Sequence, residues 1–248
     1  MKFKTLLIAA AALAAGIMVS KAQVYSQNVV GYANVPTLSG ATYAMAVPFS
    51  VGVSNGANEV WPFTPGNPTL PDGSELMIWN GAGFTIFFSD SGSTSGWDDG
   101  NQNPTNASPI LPVGKGFFLI PAGNTTNTFV GAVAVNVGTS NVTTLASGAT
   151  VLVSPAVPYG GSVTNGNPTT GAGGPNLWNN NTTANQLPDG SELEVWTGSG
   201  LTLWFSDSGA PAYWDDGNQN PTNQAPVINV GQSFFLIPSG SFPWTVGL

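Results

Sequence analysis

The stretch WDDGNQNPTN runs from Trp97 to Asn106 and recurs without change from Trp214 to Asn223. It gathers hard oxygen donors into one short segment. Asp98, Asp99, Asn101, Asn103 and Asn106, with Asp90 across the loop, are the ligand types that calcium prefers. The second copy offers Asp207, Asp215, Asp216, Asn218, Asn220 and Asn223. The pattern Asp99-x-Asn101-x-Asn103 looks like the start of a calcium loop. However, Pro104 stands where an EF-hand needs Gly, and Ile110 where it needs Glu, so that loop type is excluded. The metal set open to this chain is therefore Asp90, Asp98, Asp99 and Asn101, repeated as Asp207, Asp215, Asp216 and Asn218, with calcium as the candidate cofactor. The competing reading is a well-ordered hairpin loop, because Asp-Gly and Asn-Pro form turns and Asx side chains bond their own backbone.

A tryptophan beside such a loop suggests a second chemistry. An indole covers the apolar face of a neutral sugar, while amides and carboxylates take its hydroxyls. The candidate sites are Trp97, Asp98, Asp99, Asn101 and Asn103, and Trp214, Asp215, Asp216, Asn218 and Asn220. The alternative is that Trp97 and Trp214 cap a core. Trp79 and Trp196 lie within strand patterns and read as core, whereas Trp61 and Trp178 lie in loop-like surroundings. A third chemistry needs paired carboxylates, as in glycoside hydrolysis. Asp72 with Glu75, or Asp189 with Glu192 and Glu194, are the pairs available. Asp72 has an ordinary place in a Pro-Asp-Gly turn, and Glu75 reads as an edge charge against aggregation. The expectation is no catalytic residue and no enzyme.

Composition narrows the classes further. The chain has no Cys, no His and no Arg, which removes Cys/His zinc sites and Ser-His-Asp catalysis. It begins MKFKTLLIAAAALAAGIMVSKAQ, with Lys2 and Lys4 ahead of an apolar run from Leu6 to Val19. That is a helical signal peptide, with cleavage expected after Ala22; the run is short of the roughly 20 residues a spanning helix needs. Cleavage would leave Lys115 alone against 12 acidic residues. So acidic a chain repels nucleic-acid backbones and anionic membranes. Charged residues are only 6% of the whole and aromatics 10%, which fits a rigid, neutral-surfaced protein rather than a disordered tail.

These residues sit in a duplicated framework. LPDGSEL recurs at Leu70 and Leu187, FSDSG at Phe88 and Phe205, and VGKGFFLIP at Val113 as VGQSFFLIP at Val230. All keep the offset that carries Leu70 onto Leu187. Upstream the offset slips, because the second unit carries extra residues within Gly160–Asn176. VVGY at Val29 resembles FVGA at Phe129 and TVGL at Thr245, so the strand closing the first unit is expected to open the second. Short runs rich in Val, Ile, Thr, Phe and Trp, bounded by Gly, Pro, Asn and Asp, predict strands. They are VYSQNVVGYANV, ATYAMAVPF, ELMIWN, FTIFFSD, KGFFLIP and NTFVGAVAVNV. No helical period is evident after the signal.

The whole pattern, VPF or VPY, then LPDGSEL, a hairpin between aromatics and VGxxFFLIP, resembles uncharacterised secreted β-repeat proteins of Verrucomicrobia and related environmental bacteria. Those often begin, after the signal, with a segment like VYSQNVVGY. More loosely, WNGAG with GKGFFLI and WTGSG with GQSFFLI resemble surface β-modules of Bacteroidetes. The resemblance implies export and a β-rich surface role, with no catalytic site to carry over. Many such proteins end in a sorting tail; this chain ends at FPWTVGL, so anchoring by that route is not expected.

The expectation is thus an all-β fold: two tandem homologous β-sandwich-like or barrel-like units, residues 23–134 and 135–248, behind a signal peptide at 1–22. The boundary falls near Gly131–Thr139. The expected role is that of a non-enzymatic structural or adhesive protein, secreted or on the surface of a bacterium. The alternative is a glycan-binding module, calcium-assisted, with one site per repeat. Partners are further copies of the chain, paired edge to edge, or neutral extracellular glycans, and not nucleic acid. No transmembrane segment is expected after signal cleavage.

Overall fold

A computed structural model describes residues 29–64, 66, 69–136, 138–167, 172–177 and 187–248. The signal-peptide assignment and Trp178 lie outside these residues. Within them the chain is almost entirely β. Strands β1 (Val30–Thr37) and β2 (Tyr43–Ala46) lead to one helical turn, α1 (Ala57–Val60). Then come β3 (Glu75–Trp79), β4 (Phe84–Ser89), β5 (Trp97–Asp99), β6 (Gly116–Ile120) and β7 (Thr125–Ala132). The second half runs β8 (Ser140–Leu145), β9 (Val151–Val153), β10 (Gly161–Ser162), β11 (Glu192–Trp196) and β12 (Leu201–Ser206). It ends with β13 (Trp214–Asp216), β14 (Val227–Ile228), β15 (Phe234–Ile237) and β16 (Phe242–Gly247). No described helix is long and apolar enough to cross a membrane.

Two five-stranded antiparallel sheets follow one pattern, β2-β6-β3-β4-β5 and β9-β15-β11-β12-β13. Neither closes into a barrel. Two-stranded ribbons, β1-β7 and β8-β16, accompany them, and β10 pairs with β14. The predicted runs ATYAMAVPF, ELMIWN, FTIFFSD and KGFFLIP supply β2, β3, β4 and β6. Two expectations are corrected. Glu75 opens β3, which lies between β6 and β4, so it is no edge charge. The strand that closes the first half does not open the second: β7 ends at Ala132 and pairs with β1, while β8 is a separate strand paired with β16. The helical turn was not visible as a period because it is a single turn. Its Glu59 folds back to accept the amides of Val53, Ser54 and Gly56.

Local chemistry explains the hairpins. Between β3 and β4, Asn80 Oδ1 accepts the amides of Ala82 and Gly83, and Gly81 takes φ +99°, a conformation that costs glycine little. In LPDGSEL the buried Ser74 donates to the Pro71 carbonyl at 2.6 Å, as does Ser89 from β4. Ser191 and Ser206 make the same pair of bonds to Pro188 in the second copy.

Strand alternation then sorts side chains onto two faces. Phe117 and Leu119 of β6 join the main core with Met45, Leu76, Trp61 and Trp97. Phe118 points the other way, into a second cluster with Ala44, Leu152 and Phe235. That cluster is where the two sheets meet, and the contacts are reciprocal. Trp79 Nε1 donates to the Thr150 carbonyl at 2.9 Å, and its counterpart Trp196 donates to the Thr42 carbonyl at 2.7 Å. The Ala46 amide reaches the Gly231 carbonyl, and the Ser154 amide reaches that of Gly114. Bridges pair Met45 with Gln232 and Val153 with Lys115. Ring pairs Trp79–Phe235 and Phe118–Trp196, at 5.5 and 5.8 Å, repeat the exchange. Gly116 sits at the closest approach, where a Cβ would lie 2.5 Å from Ser233 Cβ and 2.6 Å from Leu152 Cγ.

Phe118→Ala should therefore cost about 3–5 kcal/mol, the usual loss for a buried ring, measured by denaturant unfolding. Gly116→Val should also lower the unfolding midpoint, since neither Ser233 Cβ nor the Leu152 side chain has room to retreat.

Candidate functional site

The duplicated motif begins on β5 and β13, the outermost strands of the two sheets. Each is a hairpin partner of the strand before it: Ser89 pairs with Trp97, Phe88 with Asp98 and Phe87 with Asp99. Alternation sends Trp97 inward and Asp98 outward. Trp97 is 2% exposed and Trp214 is fully buried. Trp97 packs against Trp61 at 6.3 Å and donates its Nε1 hydrogen to Asn58 Oδ1 at 2.6 Å. No sugar-facing ring surface remains, so of the two readings of these tryptophans the core caps stand and the indole platform at Trp97 and Trp214 is corrected. Trp61 is likewise core, capping α1 and donating to Asn127 Oδ1.

The polar residues that follow close the loop on themselves. Asp99 Oδ1 accepts the amides of Asn101 and Asn103 at 2.8 and 2.9 Å, and the Asn103 side chain at 3.3 Å. Asp216 accepts the same set from Asn218 and Asn220. Gln102 and Gln219 take φ near +60° at the loop tips. Thr105 pins the loop back by donating to the Trp97 carbonyl, as Thr222 does to that of Trp214. The motif's spacing thus answers to turn geometry: an Asx acceptor, two amides it holds, and a threonine latch. The hydroxyls of Thr105 and Thr222, and Asn58, are not among the candidate residues of the sequence. The threonines were legible as part of the repeated motif, whereas Asn58 lies far from it in the chain.

Asp90 and Asp98 remain near one another on the outer surface. Asp90 accepts the Gly92 amide. One oxygen of Asp98 is buried and has no hydrogen-bond partner among the described residues, and the same holds for Asp215. Burial, then the charge of Asp90, raises the pKa of Asp98. Burial, then Asp207 and Asp216, raises that of Asp215. The reverse holds next door, where loop amides favour the charged forms of Asp99 and Asp216 and lower their pKa values. Asp207 and Asp215 line an open hollow of about 400 Å³ with Asp189 and Gln219. No group of three or more His, Cys, Asp or Glu among the described residues is arranged to hold a metal ion. The predicted metal set is thus divided, with Asp99 and Asp216 turned into their own loops and away from Asp90/Asp98 and Asp207/Asp215.

The carboxylate pairs fare similarly. Asp72 accepts the amide and hydroxyl of Ser91, and Asp189 those of Ser208 at 2.8 Å each. Both brace the turn ahead of β3 or β11. Glu192 and Glu194 share one face of β11. Burial, then a hydrogen bond and the charge of Glu192, raises the pKa of Glu194. In the first half Met77 stands where the second has Glu194, so this pair has no counterpart. No protein-family model, no curated protein and no solved structure matches this chain.

The two aspartates of each motif should respond to pH with opposite sign. Asp99 has a lowered folded pKa, so its stabilisation is present above the ordinary aspartate value and is lost as pH falls through the folded one. Asp99→Ala should lower the melting temperature at neutral pH, with the gap to wild type shrinking below about pH 4. Asp98 has a raised folded pKa, so its charge destabilises the fold as pH rises through that value. Asp98→Asn should raise the neutral-pH melting temperature and make no difference in acid.

Proposed function

We propose that this protein is a non-enzymatic structural or adhesive element that works outside the cell, secreted or held at a bacterial surface. The observation that carries the reading is an apolar stripe on the outer face of the β1-β7 ribbon. Val30, Tyr32 and Val130 are 70%, 65% and 51% exposed, and Tyr32 stands directly opposite Val130. A two-stranded ribbon with an apolar outer face is a surface for pairing with another chain. Farther along the same face the stripe turns polar, with Thr128 donating to Asn34. The side chains offered for chemistry have structural partners instead: Asp72 and Asp189 brace turns, Asp99 and Asp216 hold loops, and Trp97 and Trp214 fill the core. The signal-like start, the lack of Cys and the scarcity of charge fit a protein built for an exposed, neutral surface.

Two measurements test this reading. Sedimentation velocity of the purified protein over a concentration series should show self-association that Tyr32→Lys with Val130→Lys abolishes. A chain that stays monomeric throughout removes the assembly role. Thermal melts in millimolar calcium and in chelator should coincide, because the Asp99 and Asp216 carboxylates are held by loop amides. A large rise with calcium would return the motif to metal binding.

A further inference from the structure

Where the two sheets meet, they leave a cavity of about 480 Å³ on one side. Small-molecule sites commonly span about 300–1,000 Å³. Its walls come from both halves. Thr42 and Tyr43 stand at the start of β2, Val195 and Trp196 at the end of β11, and Asn229 and Gln232 just before β15. The two rings are anchored by their polar atoms: Trp196 Nε1 donates to the Thr42 carbonyl, and Tyr43 Oη accepts the Leu38 amide. The two amides are anchored as well. Gln232 Oε1 accepts the backbone and side-chain amides of Asn229, and its Nε2 donates to the Trp196 carbonyl. A wall fixed before binding has little ordering cost left to meet.

The opposite corner of the same junction differs. There Lys115 occupies the place of Gln232 and lines a smaller hollow of about 110 Å³, with Asn141, Thr143 and Trp244 in its wall and not Trp79, the counterpart of Trp196. Only the larger corner is both open and, among its described lining residues, free of charge.

We propose that this larger cavity binds a neutral saccharide of one or two rings. A sugar presents apolar C–H faces, suited to Trp196, Tyr43 and Val195, and hydroxyls, suited to Thr42, Asn229 and Gln232. An anion would meet no lysine or arginine there, and a cation no carboxylate. A wholly aliphatic ligand would cover Asn229 Oδ1 and the Gln232 Nε2 hydrogen that the Trp196 carbonyl does not take, leaving both unbonded, which costs free energy. The site is distinct from the duplicated loops and does not rest on the structural role proposed above.

The test is calorimetric titration of the purified protein with the methyl glycosides of glucose, galactose, mannose and N-acetylglucosamine, and with maltose and cellobiose. At least one should bind saturably with a Kd of about 1 mM or tighter. Val227 stands at the rim and is 62% exposed, so Val227→Trp should fill the cavity and abolish that binding with an unchanged melting temperature. Thr197→Trp, exposed on another wall, should do the same and serves if the first variant folds poorly. Val142→Trp, at an exposed position of β8 that does not line the cavity, should bind as wild type does. No saturable heat from any probe at about ten times that concentration overturns the proposal, as does binding that survives both cavity-filling variants.

Discussion

The junction between the sheets is the constraint on which the rest of the structure depends. Each sheet sends one indole N–H into the other and receives one in return. A buried N–H must find an acceptor or forfeit about 1–3 kcal/mol, so these two bonds fix the sheets in rotation as well as in distance. Gly116 sets the distance, since any side chain there would strike Ser233 and Leu152. With the sheets so placed, Phe118 and Phe235 are covered on one side. Alternation then commits Phe117, Leu119, Phe234 and Leu236 to the main core on the other.

A chain with so little charge must settle its polar groups by short-range bonds between small side chains and backbone. Ser74 and Ser89 share the Pro71 carbonyl, Asp72 holds Ser91, and Asp99 holds its own loop. These are exchanges within one turn or one hairpin, and they leave few side chains idle for catalysis. Two of the exceptions are informative. Asp98 and Asp215 keep a buried oxygen without a hydrogen-bond partner among the described residues. Both occur at the same place in each copy, so the feature belongs to the motif and not to one loop.

Much of this was legible in the chain, because the signals are local. Period-two runs marked β2, β3, β4 and β6, and Pro-Asp-Gly and Asn-Gly marked the turns between them. The alternation that buries Trp97 was also present, in a Trp-Asp-Asp strand that must send the first and third residues to one face. Other features had no local signal. Thr42 and Trp196 lie 154 residues apart, and neither residue type announces the other. The cavity they border is assembled from four separated segments of ordinary composition. The break between β7 and β8 was obscured by the likeness of FVGA to VVGY, which marks the ribbon strands and not the boundary.

The reciprocity of the junction has an evolutionary consequence. A face that meets its own image forms an isologous interface, the kind that a single unit would use to make a symmetric homodimer. In such a dimer every substitution is imposed twice, and a change that suits one corner must also be tolerated at the other. Joining the two copies in one chain lifts that restriction. Lys115 and Gln232, or Met77 and Glu194, can then differ while the backbone exchange around them is kept. One corner is free to close and the other to open, and asymmetry that a homodimer cannot encode becomes available to selection at the cost of a single mutation.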